Sequence, residues 1–249
     1  MLPVTIALIR LSQLVEDFPE IVELDMNPVL VHQGSICTVD ARVFVRPSNV
    51  PSPLHLVISP YPAQYEYREV VKDGLAVFIR PIKPEDAPAF LDLFRTLSPT
   101  SVYYRFFSPL KSLSPSMLTR FTQIDYDRKV ALVAHEENTS KERMLGAARV
   151  ISDPDGRRAE FSIMVGDPWQ GKGVGAKLLD KCLRIAKQRG IQTIWGIVLR
   201  ENTQMIALGR KLGFKASRTD EPGELELAID LRSVQLERLE KSKEIQSAS

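Results

Sequence analysis

Cysteine is scarce: Cys37 and Cys182 are the only two in 249 residues. Each stands in an apolar run, which excludes a disulfide framework and suits reduced packing residues of a cytoplasmic protein. The three histidines, His32, His55 and His135, share no ligand spacing, so no metal site is expected. Net charge is nearly absent, +2 from 33 basic and 31 acidic residues that are interspersed along the chain. No field therefore points to nucleic acid or a membrane as partner. Long hydrophobic runs are lacking too: MLPVTIALIRLSQLV is broken by Pro3 and Arg10. It is too short to span a bilayer and lacks the basic start and small-residue cleavage site of a signal peptide. There is no internal repeat and no low-complexity tract. The composition, 44% hydrophobic and 26% charged, is that of a globular chain with one good core and a smaller appendage.

The appendage comes first. Ile6 to Val15 reads as a short helix, and IVELDMNPVLV and SICTVDARVFV read as two strands around a turn at His32 to Gly34. Residues 1–45 thus form a small αββ segment, too small to be a confident independent domain. Prolines at 47, 51, 53, 60 and 62 are incompatible with a helix or central strand and mark a linker over residues 46–71. The main domain spans 72–231. In it LAVFIRPI alternates as a strand, and Pro84 with Glu85 and Asp86 opens a helix to about Leu97. SVYYRFFSPL and SPSMLTRFTQI follow as shorter helical pieces. The strands KVALVAHEE, RMLGAARVIS and RRAEFSIMV come next, the last two joined as an antiparallel hairpin by Asp153 to Gly156. A helix from Gly173 to Arg189 carries Val174, Leu178, Cys182, Ile185 and Ala186 on one face. Then come a buried strand IQTIWGIVL, a helix from Asn202 to Leu212 and a final strand ELELAIDL. Residues 232–249 read as a charged, fraying helix.

The stretch VGDPWQGKGVGAKLL (165–179) is a near miss for two nucleotide loops. As a phosphate loop it puts Gly173 where Ser or Thr would bind magnesium. As a dinucleotide loop, G-K-G-V-G-A follows an antiparallel strand at a distance of five residues, whereas that fold starts its first glycine directly after a parallel strand. What holds in either case is physical. Glycines at 171, 173 and 175 let backbone approach a ligand, and their N–H groups lie at a helix amino end where an anion is favoured. The same glycines would also serve a tight strand-to-helix turn.

Q-G-K-G-V-G matches Q/R-x-x-G-x-G/A, the acetyl-CoA pyrophosphate loop of the GNAT superfamily of N-acetyltransferases, and NTQMIALGRKLGF resembles that superfamily's second motif. The resemblance covers roughly residues 72–231 with the elements in the family's order. It implies an α+β fold, layered α/β/α, whose mixed and mostly antiparallel sheet splays at the acetyl-CoA site. YPAQYEYREVVKDGLAVFIRPIKPEDAPAF, SVYYRFFSPLK and IDYDRKVALVA closely resemble the acetyltransferase domain of bacterial protein lysine acetyltransferases of the Pat type. There such a domain follows one like the ADP-forming acyl-CoA synthetases. Residues 20–45 look like the end of that synthetase's ATP-grasp module, with V-E-L-D-M-N-P and V-D-A-R placing Asp25, Asn27 and Asp40 at its magnesium and nucleotide ligands. Most of that module, its phosphate-binding loop and lysine included, is missing from the match.

The resemblance implies acetyl transfer from acetyl-CoA to a primary amine. The acceptor it implies is a protein lysine, with an acyl-CoA synthetase as a candidate partner; a small amine or polyamine, or a non-catalytic acyl-CoA-binding regulator, are the alternatives. A lysine amine, with a reference pKa of about 10.4, must lose a proton before attack. Alternation in RRAEFSIMV puts Ala159, Phe161, Ile163 and Val165 on one face and Glu160, Ser162 and Met164 on the other. Glu160, in an A-E-hydrophobic context shared with histone-acetylating relatives, is the implied general base, its pKa expected to rise by partial burial. Backbone groups of Met164 and Val165 are expected to pair with the pantetheine arm, with Val165 N–H facing the thioester oxygen. Gln170, Gly171, Lys172, Gly173, Val174 and Gly175 would hold the pyrophosphate. Asn202 would cap its helix or position the cofactor. Where many relatives carry an acid tyrosine this chain has Gly209, so the general acid has no assigned residue. Tyr103, Tyr104, Phe106 and Phe107 line the acceptor side or belong to the core.

Overall fold

A computed structural model describes residues 3–32, 34–50, 52, 56, 61–126, 128–137 and 143–233. The charged tail expected beyond Arg232, from residue 234 on, and residues 51, 53–55 and 57–60 of the proline-rich linker lie outside these. The chain divides into two units, residues 1–62 with 125–127, and residues 63–124 with 128–249.

In the first unit, α1 (Pro3–Asp17) is followed by β1 (Ile21–Met26), β2 (Val29–His32), β3 (Ser35–Thr38) and β4 (Ala41–Val45). Each expected strand is therefore two. β1 pairs with β4 and β2 with β3, all antiparallel, and Asn27–Pro28 interrupts the first arm because proline has no N–H for the ladder. Asn27 N–H donates to the Asp40 carbonyl, and Val39 N–H to that of Pro28. Asp25, Asn27 and Asp40 thus meet in one stretch of hairpin, where Arg42 lies 3.3 Å from the Asp40 carboxylate. Val29, Leu30, Val31, Val43, Phe44 and Val45 stay exposed, as does Cys37, which the sequence reading had assigned to packing. So short a unit has too little chain to enclose them.

The second unit is built on an eight-stranded sheet in the order β11-β12-β10-β9-β8-β7-β6-β5. Its first strand, β5 (Tyr67–Val70), falls where the proline count predicts linker and pairs with β6 (Ala76–Pro81). β7 (Lys129–Glu136), β8 (Met144–Ser152) and β9 (Arg158–Val165) continue antiparallel. β10 (Thr193–Leu199) joins β9 in parallel, and β12 (Glu224–Asp230) and β11 (Lys215–Arg218) complete the sheet. β11, too short and polar to show a period, is absent from the sequence reading.

Helices cover both faces. On one, α5 (Val174–Gln188) buries Val174, Leu178, Leu179, Cys182, Leu183, Ile185 and Ala186 completely, and α6 (Thr203–Lys211) lies with it. At about 0.8 kcal/mol per buried CH₂ that stripe alone offsets much of the helix's ordering entropy. Burial also pushes the Cys182 thiol up, well away from reactivity. On the other face lie α2 (Ala87–Arg95), α3 (Pro99–Phe106) and α4 (Pro115–Thr122), enclosing Phe90, Leu93, Phe94 and Val102 with Met144 and Met164 of the sheet. Ser98 and Ser114 cap α3 and α4, each side chain accepting a backbone N–H at 3.2 Å. Proline at the first turn of each fixes the start.

Candidate active site

β9 and β10 pair only over Arg158–Glu160 against Thr193–Trp195. Beyond that they part, β9 following β8 to Val165 and β10 following β12 to Leu199. Gly196 marks the parting: a Cβ there would lie 2.8 Å from the Phe161 ring and 3.1 Å from the Phe161 carbonyl oxygen. The hydrogen-bond alternation along β9 is fixed at its two ends, where Asp153 N–H donates to the Arg158 carbonyl (2.8 Å) and Gly166 N–H to that of Leu145 (3.0 Å). Even-numbered residues therefore bond β8, and Phe161, Ile163 and Val165 turn their peptide groups to the other side. The Arg157 carbonyl, accepting from Gln192 N–H at 2.8 Å, follows the same parity. The expectation that Met164 and Val165 together face the gap is corrected by this parity: Met164 bonds toward β8, and Ile163 takes its place beside Val165.

From Val165 the chain makes a 3-10 turn at Asp167–Trp169 and reaches α5 through Gln170–Gly173. The Gln170 side-chain amide is engaged within the loop, donating to Ser101 Oγ (3.2 Å), the Val165 carbonyl (3.2 Å) and Asp167 Oδ1 (3.0 Å). Gly171 (φ 72) and Gly173 (φ 96) take left-handed backbone, which side chains with a Cβ adopt only at a cost. The first helical bond runs from Lys177 N–H to the Gly173 carbonyl. The N–H groups of Val174, Gly175 and Ala176 thus have no helical partner. Val174 is fully buried, its side chain packed into the core. Gly175 seats the helix start against β9: its Cβ would lie 3.3 Å from both Ile163 Cδ1 and Val165 Cγ2. Lys172 is half-buried, and its carbonyl accepts from Lys72 N–H (3.0 Å). Lys177 and Lys181 both bond the Glu69 carboxylate. Burial works against that carboxylate, but the lysines prevail and hold it below the ordinary range. Asn202 Oδ1 accepts Met205 N–H at 3.0 Å, so its side-chain oxygen caps α6.

The opposite face of β9 carries Arg158, Glu160, Ser162 and Met164. Glu160 is exposed, against the expectation of partial burial, because it sits where the strands part. Trp195 stands opposite it in register, with a buried indole N–H lacking a partner among the described residues. The Arg158 guanidinium lies over the Trp195 ring at 5.5 Å and 3.9 Å from Glu226.

From α3, Arg105 Nη2 donates to Ser162 Oγ at 3.0 Å. Burial pulls this guanidinium down to about 10, with the charge of Glu160 opposing. Among the described residues no carboxylate lies within 4.0 Å of it. A small open cavity of about 20 Å³ beside it is walled by Ile82, Phe90, Phe121 and Met164, with Arg149 at its side. Arg149 donates to the carbonyls of Arg120 (3.2 Å) and Phe121 (2.7 Å) at the end of α4. The Tyr104 hydroxyl donates to the Glu201 carbonyl (3.3 Å), while Phe106 packs against Phe94 and Phe121 in the core. Arg105, Trp195 and Ile163 are not among the site residues expected from the sequence. Arg105 sits in SVYYRFFSPL, where the aromatics dominate the pattern.

A gap between a parallel pair, a glycine loop on a helix amino end and a carboxylate where the strands part define a protein that seats an elongated, anion-ended ligand inside its own sheet. Comparison with known proteins gives this class its family. The model of the acetyltransferase (GNAT) family matches residues 98–214 and that of an ATP-grasp domain residues 3–45. The solved GNAT domain of S. lividans PAT is 32% identical, with 69% of this chain and 99% of that one covered and a TM-score of 0.63. An acetyltransferase of Pseudomonas aeruginosa is 29% identical over 150 residues, 60% of this chain and 81% of that protein. Acetyltransferase Pat of Mycolicibacterium smegmatis is 27% identical over 164 residues, 66% of this chain but 46% of that protein. The chain belongs to the GNAT family of acetyltransferases.

Proposed function

We propose that the chain transfers the acetyl group of acetyl-CoA to the side-chain amine of a protein lysine, with Glu160 taking the amine's proton. The position of Glu160 carries this reading: it is the last β9 residue paired to β10, exposed on the face opposite α5, directly before the backbone groups that line the gap. The N–H groups from Gly171 to Ala176 receive the pyrophosphate, with Lys172 adding charge. Ile163 and Val165 pair with the amides of the pantetheine arm as a neighbouring strand would. Val165 N–H faces the thioester oxygen as negative charge gathers there. Its carbonyl already accepts from the Gln170 side-chain amide at 3.2 Å. A thiol, with a reference pKa of about 8.5, leaves without a dedicated acid, consistent with glycine at 209.

The resemblance to Pat-type enzymes supports a protein acceptor in the cytoplasm, an acyl-CoA synthetase among them. The test is Glu160→Gln with labelled acetyl-CoA, offered an acyl-CoA synthetase, a polyamine or no acceptor. Turnover on protein falls by roughly 10²–10⁴ while acetyl-CoA affinity stays within about twofold. Unchanged turnover removes Glu160 from the mechanism, and label in the polyamine alone overturns the protein acceptor.

A further inference from the structure

We propose that Arg105 sets acceptor specificity by taking a carboxylate that the acceptor protein presents two residues from its target lysine. This rests on the protein-lysine reading above.

Arg105 is held for such a role. Its contact, Ser162, is two residues along β9 from Glu160 and on the same face. At about 3.3 Å per residue Ser162, the contact of Arg105, stands roughly 7 Å along β9 from Glu160, whose carboxylate receives the lysine amine. An extended acceptor segment advances by the same step. When its lysine is at Glu160, the side chain two positions away on the same face is at Arg105.

The chemistry fits an acid at that point. A guanidinium has five N–H donors in a planar fork, and the described structure engages one nitrogen, Nη2, with a neutral hydroxyl. The cation also lies over the Phe106 ring at 5.2 Å, beside the apolar walls of the cavity. There a charge-assisted pair is stronger than in water, and a two-oxygen acceptor can take the fork bidentately. The other cations on this face are engaged differently, Arg158 with Trp195 and Glu226 and Arg149 with the end of α4. A fixed positive charge at this distance also disfavours a polyamine, whose second ammonium would meet it.

Three fluorescein-labelled peptides test this, each with one central lysine: one with Glu at the second position on either side, one with Ala there and one with Arg. Binding is read by anisotropy in the presence of CoA, and initial rates are read with acetyl-CoA. The wild type should bind the Glu peptide about tenfold more tightly than the Ala peptide and the Arg peptide more weakly than either, the Glu preference being the size of one charge-assisted hydrogen bond. Arg105→Met should bring the Glu-to-Ala ratio to about one, and Arg105→Lys should keep part of it. Arg105→Glu should reverse the order in favour of the Arg peptide.

A wild-type ratio near one overturns the proposal and leaves the lysine-acceptor reading standing. So does a ratio that survives in Arg105→Met, which would make the residue a brace for α3. Binding of none of the peptides removes both. An unimpaired Glu160→Gln enzyme that keeps the Arg105-dependent ratio removes only the base.

Discussion

Single residues decide what this scaffold can hold. Gly209 occupies the position where many relatives place an acid tyrosine, and it is buried under the sheet. A Cβ there would lie 2.8 Å from Leu227 Cδ1 and 3.5 Å from Phe214 Cβ. Gly209→Tyr is expected to overpack this spot by about 3 kcal/mol, lowering Tm by on the order of 10 °C with no gain in turnover. Faster thiolate release at unchanged Tm would contradict it. Residue by residue, legibility follows whether a role has a local signature. Gly171 and Gly173 declare themselves because left-handed backbone favours glycine. Glu160 declares itself as the one carboxylate in an apolar strand. Arg105 has no such signature, because its position opposite Ser162 is created by how α3 folds over β9, 57 residues away in sequence.

Elements are held in place by polar contacts as well as by apolar stripes. The 3-10 turn Pro84–Asp86 leads into α2, and its Asp86 forms a buried bidentate pair with Arg80, Nη1 to Oδ2 at 2.8 Å and Nη2 to Oδ1 at 2.6 Å. Lys83 N–H adds a third bond at 2.7 Å. Burial opposes the charge on Asp86, but these donors outweigh it and hold the carboxyl below its ordinary value. A depressed folded pKa stabilises the fold above the unfolded value of about 3.9, and the contribution disappears as pH falls through the folded value. Urea midpoints at pH 7 and pH 3 should therefore differ in the wild type and differ less in Asp86→Asn. That variant should lose about 3–5 kcal/mol at pH 7, because Arg80 stays buried without its carboxylate. An equal acid shift in both proteins would contradict this. The sequence makes α2 visible through Pro84 and its acidic first turn, and α5 through its stripe. β5 is hidden by the neighbouring prolines, and β11 by a strand of four exposed residues. The splitting of the N-terminal arms depends on a single proline inside an otherwise regular alternation.

At the scale of the whole molecule, the two units differ in how completely they enclose apolar surface. The second has a helix layer on each side of its sheet, whereas the first leaves valines and Phe44 in solvent. Among the described residues no helix is long and apolar enough to cross a membrane. The second unit is nevertheless incomplete in its centre, where the N–H groups of Ile163 and Val165 face a gap. Acetyl-CoA at about 100 times its Kd should stabilise the protein by about 2.7 kcal/mol and slow hydrogen exchange at those two amides. Amides of β7, already paired on both sides, should change little. Protection confined to residues 171–176, with none at 163 and 165, would show that the ligand is held by its phosphates alone.

That gap amounts to a sheet edge turned inward. Strand edges at the rim of a protein recruit other polypeptides unless they are blunted, and this one is sheltered by the start of α5 on one side and by α3 on the other. The fold thereby keeps its unpaired strand groups off the rim, where they would recruit other chains, and turns them toward the glycine loop instead.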